Sequence, residues 1–266
     1  MKLLRIGEKG KEKPAVIDDQ NNYKDLSSVI EDLNPKTLNF ETLKKIKNID
    51  LSKLPTIDSN QRIGACVSKP SKFIGIGLNF KDHAEEQNLP IPKEPIIFSK
   101  FTSCITGPND PIVVPKGSNH TDWEVEIGFV IGRKAINVSI ENALDHVLGF
   151  FLVNDVSERD FQKNRGLTWD KGKGFDTFGP IGPFIVTTDE LPDYQNLDMF
   201  LDVNGKRMQT GNTSKMIFDI KTLVSYMSSC MSLHPGDICC TGTPPGVGEN
   251  MKPPHFLNCL LYTSPS

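Results

Sequence analysis

A chain of 266 residues, 37% hydrophobic and 24% charged, is long enough for a sizeable core and has the texture of an ordinary globular protein. Its 30 basic and 33 acidic residues leave a formal net charge of -3, which gives no electrostatic basis for binding nucleic acid or a membrane surface. No run approaches the length of a membrane-spanning helix, and the opening MKLLRIGEKGKEK fits neither a secretory signal nor an Arg/Ser-rich transit peptide. A cytoplasmic location is expected, with a mitochondrial one left open.

The opening reads as a first strand. The rest of residues 1–60 is charged, with helices expected near SSVIEDL and FETLKKIKNI on either side of Asn34-Pro35, and reads as a small N-terminal domain. From residue 61 to 266 the texture changes to short β-rich runs punctuated by Pro and Gly: FIGIG, PIIFSKF, PIVVP, EVEIGFVIG, VLGFFLVND, PFIVT and MFLDVNG. Helices are expected at NFKDHAEEQ, SIENALDHVL, VSERDFQKN and IFDIKTLVSYMSSCMSL. The fold class is therefore α+β and β-dominated.

Within TDWEVEIGFV, Asp122, Glu124 and Glu126 alternate with Trp123, Val125 and Ile127, so a strand would turn the acids to one face. The continuation is apolar on both faces, which places the acids where the strand enters a core. Carboxylates there repel and are costly to desolvate unless a cation sits between them. Asp155 follows the apolar run GFFLV at a strand end, and with Glu124 and Glu126 on a neighbouring strand it would offer three oxygen donors to a hard divalent cation. A solvated strand face for the two glutamates, and a loop or cap role for Asp155, stay open at this point.

His83 and Glu86 share one face of a helix, an arrangement suited to a general base that draws a proton from water, or to an idle exposed pair. The stretch VSERDFQKNRGLTWDKGKGF could bring Arg159, Gln162, Lys171 or Lys173 over an anionic substrate. HPGDICCTGTPPGVG reads as a turn, a short strand and a loop carrying Thr241 and Thr243. It lacks the Gly-Lys-Ser/Thr ending of a phosphate loop, and GIGLN has too few glycines for a dinucleotide fingerprint. The six cysteines show no Cys-x-x-Cys pair or zinc spacing and are expected to be buried, reduced thiols.

From about Lys72 to Phe256 the chain closely resembles the fumarylacetoacetate hydrolase family, through IGLNFKDHAEE, PIIFSKFTSCITGP, TDWEVEIGFVIG, NDVSERDFQ, KGKGFDTFGPIGP, VNGKRMQ, MIF and LHPGDICCTGTPPGVG in that order. The opening looks like the small N-terminal domain of bacterial-type members that act on diketo sugar acids. The resemblance implies a mixed β-roll or barrel catalytic domain and Mg²⁺, Mn²⁺ or Ca²⁺ held by Glu124, Glu126 and Asp155. It further implies a water-activating pair in His83 and Glu86, an active-site Lys173, and substrate contacts from Arg159, Gln162 and Thr243. A small 2-oxo acid substrate and a homodimer are expected with it. The implied reaction is hydrolysis of the C–C bond of a 2,4-dioxo acid, with oxaloacetate decarboxylation or keto-enol tautomerisation as the alternative and a non-catalytic family relative as the third reading. Family members follow the KPP motif with a Gly-Asp turn and final strands, whereas this chain ends MKPPHFLNCLLYTSPS. The end after about residue 256 therefore looks truncated or foreign, and residues 257–266 are expected to be irregular and to leave an unpaired sheet edge.

Overall fold

Short apolar runs broken by Pro, Gly and Asn produce many short strands in the computed structural model, which describes residues 1–166 and 168–257 and, as backbone, 263–265. In chain order the strands are β1 (Lys2–Ile6), β2 (Lys13–Ile17), β3 (Tyr23–Asp25), β4 (Thr56–Ile57), β5 (Phe73–Gly77), β6 (Ile96–Lys100), β7 (Ile105–Thr106) and β8 (Thr121–Asp122). They continue as β9 (Val125–Ile131), β10 (Val147–Asn154), β11 (Ser157–Glu158), β12 (Gly179–Thr187), β13 (Asp198–Val203), β14 (Lys206–Asn212), β15 (Ile238–Cys240) and β16 (Thr263–Pro265). The α-helices are α1 (Phe40–Lys47), α2 (Lys81–Glu86), α3 (Arg159–Lys163), α4 (Asp170–Lys173) and α5 (Ile220–Cys230).

A large mixed sheet runs in the order β4-β3-β2-β1-β12-β10-β9-β15-β5-β6, with β7 attached to β12. β15 is parallel to β5 and antiparallel to β9, so the acid-bearing strand and the FIGIG strand lie on either side of β15. The N-terminal strands continue this sheet through the β1–β12 pair, where Leu3 faces Ile185. Every residue of β9 is buried, as expected for a strand covered on both sides. Val130 joins a core cluster with Leu3, Phe73 and Leu148, whereas Ile127 and Phe129 join Trp123, Phe150 and Leu223 of α5 on the other side. Among the described residues no helix is long and apolar enough to cross a membrane.

Several local expectations are corrected. SSVIEDL makes a single turn, with the Val29 and Ile30 N–H groups both donating to the Leu26 carbonyl, because Asp32 is drawn away to Arg5 at 2.6 Å. PIVVP is not a strand: prolines flank it, Val113 is exposed, and its N–H donates to the Thr177 hydroxyl at 2.8 Å instead of to a ladder. SIENALDHVL coils as a 3₁₀ helix over Ile140–His146 before β10 begins. In the tail, Thr263–Pro265 pairs antiparallel with β13, with Val203 opposite Thr263, so this part is a strand and not irregular; residues 258–262 and 266 lie outside the described residues. Cys66, Cys104, Cys239 and Cys240 are buried free thiols, but Cys230 is exposed.

Candidate active site

The antiparallel β9–β10 pair brings the acids together. Val153 lies opposite Glu126, and just past β10 the Asp155 N–H donates to the Glu124 carbonyl at 2.8 Å. The three acids of the alternating run do not share one strand: Asp122 belongs to β8, and Glu124 lies in the gap before β9. Asp122 accepts from Arg159 Nε at 2.9 Å and from the Gly248 and Glu249 N–H groups, so it fixes Arg159 against the late Gly/Pro loop.

The remaining carboxylates differ sharply in their partners. Glu124 meets Arg159 and Lys173, each at 2.7 Å. Asp155 is gripped from two sides, by Lys173 at 2.7 Å and by Lys100 at 2.5 Å. Glu126 accepts a hydrogen bond from the Gly242 N–H at 2.7 Å and has no ion pair among the described residues. Four buried carboxyl groups (Asp122, Glu124, Glu126, Asp155) thus face three buried cations (Lys100, Arg159, Lys173), and Glu126 is the one without a cationic partner among the described residues. Burial works against the Glu124 carboxylate, but Lys173 and Arg159 outweigh it and hold the group below its ordinary range. At Glu126 burial and the neighbouring Asp155 and Glu124 charges act together and push the carboxyl well above its ordinary value. Burial likewise disfavours charge on Lys100 and Lys173, yet the adjacent Asp155 raises both above their ordinary value.

A divalent cation fits this arrangement. Carboxylate oxygens of Glu126 and Asp155 and the Cys240 sulfur lie within 4.8 Å of one another, while Glu124 stands outside that group and is joined to Asp155 through Lys173. Burial, followed by the Glu126 and Asp155 charges, pushes the Cys240 thiol well above its ordinary value, so the donors of the group are oxygens suited to a hard ion. A cation bound beside Glu126 would favour the ionised carboxylate that burial and the neighbouring acids disfavour.

His83 sits on α2, and its Nδ1 lies 2.9 Å from Glu86 Oε2. Glu86 also accepts from Asn250 Nδ2 at 2.9 Å and from the Gly246 N–H at 3.1 Å. Burial opposes its charge, but the His83 and Asn250 hydrogen bonds hold it below the ordinary value. With Nδ1–H donating to this carboxylate, Nε2 keeps its lone pair, and the Gln87 amide lies 2.6 Å from it. The approach to α2 is locked by Asn79, whose side chain donates to the Thr241 carbonyl at 2.8 Å and accepts from the Phe218 N–H at 2.8 Å.

His83, Glu124, Glu126, Arg159, Gln162, Lys173 and Thr243 all line one cavity of about 240 Å³; Glu86 and Asp155 support it from behind. A wider groove of about 750 Å³ follows β5 and β6 but is lined by neither His83 nor the candidate carboxylates, so the candidate residues meet in the smaller cavity. Arg159 Nη1 donates to Gln162 Oε1 at 3.0 Å as well as meeting Glu124. The Thr243 hydroxyl donates to the Val125 carbonyl at 2.9 Å and accepts from Gln209 at 2.8 Å, so it pins the loop to β9. Lys171 turns away to the Arg165 carbonyl, and Thr241 donates to the Ile127 carbonyl at 2.9 Å.

Residues 72–259 match the family model described as fumarylacetoacetate (FAA) hydrolase C-terminal. The chain belongs to this family. A Burkholderia orbicola protein named only as a hydrolase is 55% identical over 258 residues, covering 97% of this chain and 92% of its own length. Fumarylacetoacetate hydrolase from Exiguobacterium antarcticum is 32% identical with a TM-score of 0.89, covering 100% of this chain and 95% of that one. Maleylpyruvate hydrolase from Sphingobium sp. SYK-6, in complex with manganese(II) ion and pyruvate, is 29% identical with a TM-score of 0.79, covering 93% of this chain and 90% of that one. Other solved relatives in the family are named as isomerases.

Sequence reasoning gave no role to three residues of this family member's site. Lys100 is fully buried, and the signal for it is a lysine that shares the buried face of β6 with Phe98. Gln209 on β14 accepts from the Val125 N–H and donates to Thr243 and to the Pro244 carbonyl, each at 2.8 Å, tying three segments that converge only in the fold. Gln87 meets His83 one helical turn on.

Proposed function

We propose that the chain is a divalent-metal-dependent hydrolase that splits a 2,4-dioxo acid between C3 and C4, giving a 2-oxo acid and a carboxylic acid. The observation that carries this reading is the uncompensated carboxylate, Glu126, in the same cavity as a histidine whose Nδ1 is held by a carboxylate. Glu126 and Asp155, with Glu124 beside Lys173, would hold the cation; when bound it supplies Lewis-acid stabilisation of enolate charge.

The protein groups have separate tasks. Glu86 fixes the His83 ring so that Nε2 faces the proton it must take, and Gln87 yields that position to a water molecule. His83 removes a proton from this water, the oxygen adds to the C4 carbonyl, and the C3–C4 bond breaks with its electron pair left on C3 as enolate. Lys173 balances the developing charge, and the proton gained by His83 is returned to C3. Arg159 and Gln162 border the acid end of the cavity.

The test is turnover with Mg²⁺ or Mn²⁺ on acylpyruvates, diketo-deoxy sugar acids and oxaloacetate. A dioxo acid should be cleaved, and His83→Ala should lower that rate by about 10² or more, the usual range for losing a general base. Decarboxylation or tautomerisation needs the enolate but no attacking water, and the isomerase-named relatives favour this as the second reading. It gains if oxaloacetate is the better substrate or if His83→Ala abolishes both reactions equally.

A further inference from the structure

Two glycines of FIGIG lie two residues apart on β5, and each is covered by an aromatic ring. A Cβ on Gly75 would stand 2.1 Å from Phe98 Cζ, and one on Gly77 would stand 2.2 Å from Trp169 Cζ3. The missing side chains leave a flat floor on which both rings sit, their centroids 5.7 Å apart and their planes inclined at 56°. With Ile96 and Leu89 these rings form an apolar wall of the 240 Å³ cavity. The wall starts beside the charged end, because Lys173 Nζ lies 5.2 Å from the Phe98 ring centroid. Every described lysine or arginine lining the cavity is already paired: Arg159 with Asp122 and Glu124, Lys173 with Glu124 and Asp155, and Lys163 with Glu249. A second carboxylate on the substrate would have to compete with these protein carboxylates for a cation while losing its own hydration.

We infer that the far end of the bound 2-oxo acid is an uncharged alkyl or aryl group seated on Phe98, Trp169, Ile96 and Leu89, and that a second carboxylate is rejected. The inference rests on the 2-oxo acid reading above and narrows its acyl group.

Calorimetric titration of the Mg²⁺-loaded protein with pyruvate, 2-oxobutanoate, 2-oxopentanoate, 2-oxohexanoate, phenylpyruvate and 2-oxoglutarate separates the two ideas without requiring turnover. Each added methylene should tighten binding by about fourfold. 2-Oxoglutarate should bind about tenfold or more weakly than 2-oxohexanoate. Trp169→Ala should flatten the gain along the series, and Leu89→Ala, at the exposed rim, should reduce it. A flat series in the wild type, or preference for 2-oxoglutarate, overturns the apolar acyl pocket while leaving the 2-oxo acid reading intact. Failure of pyruvate and all its homologues to bind overturns both.

Discussion

Replacing Lys100 with Met keeps an unbranched side chain of similar length and removes a buried charge at the base of the site. The ammonium lies 2.5 Å from Asp155 Oδ1 and donates to the Lys173 carbonyl at the end of α4, so one side chain holds both the acid behind the cavity and the helix that presents Lys173. Losing the charge-assisted bond to Asp155 costs about 1.5–3 kcal/mol, and the buried carbonyl left without its donor costs about 1–3 kcal/mol more. Relief from burying an ammonium offsets part of this, and Asp155 retains Lys173 at 2.7 Å. A net loss of about 2–4 kcal/mol lowers Tm by roughly 5–10 °C in a chain of this size. Scanning calorimetry at neutral pH measures it, with Ser99→Ala on the exposed side of the same strand as the control, expected within about 0.5 kcal/mol of wild type. A Lys100→Met protein melting within about 2 °C of wild type would refute the structural role given to this lysine.

Glu126→Ala should weaken Mg²⁺ and Mn²⁺ binding in calorimetric titration by about tenfold or more, because it removes the carboxylate without an ion pair; unchanged affinity would eliminate the site. The Arg62 hydrogen bond holds the Asp110 carboxyl below the ordinary carboxylate range, so the pair's stabilisation is fully present above the unfolded value of about 3.9 and is lost as pH falls below it. Asp110→Asn should therefore lower stability at neutral pH by about 1 kcal/mol and converge with wild type in acid, as followed by melting temperature against pH; a gap that widens in acid contradicts the sign. Gly75→Ala places a methyl group 2.1 Å from the Phe98 ring and should cost about 1–3 kcal/mol in denaturant unfolding, whereas a neutral result would mean that the ring moves aside freely.

Most of the candidate site was legible because its residues fall in short contiguous runs. The His83–Glu86 contact follows from helical spacing, and the approach of Asp155 to Glu124 follows once a strand is expected on each side. The alternating acids misled in one respect: Asp122 serves Arg159 in a separate strand, because its carboxylate also satisfies two loop N–H groups that sequence spacing does not reveal. Protein cations also pair with Glu124 and Asp155, and Lys100 and Gln209 could not be assigned from local pattern because their partners lie 55 and 84 residues away. In the fold, SSVIEDL has a helix-like composition, but the Arg5–Asp32 contact, made across 27 residues, outweighs local propensity. The glycines of FIGIG are explained by Phe98 and Trp169, which reach β5 from other segments of the chain.

The central claim is that water adds to the substrate, and heavy-oxygen water tests it most directly. The Mg²⁺-loaded wild-type protein should convert an acylpyruvate in labelled water to a carboxylic acid carrying one label in its new carboxylate, read by mass spectrometry. His83→Ala should form that labelled acid about 10² times more slowly or worse. Consumption of the acylpyruvate without release of a labelled acid, or turnover of oxaloacetate alone, would contradict the hydrolytic role of His83 and leave enolate chemistry in its place.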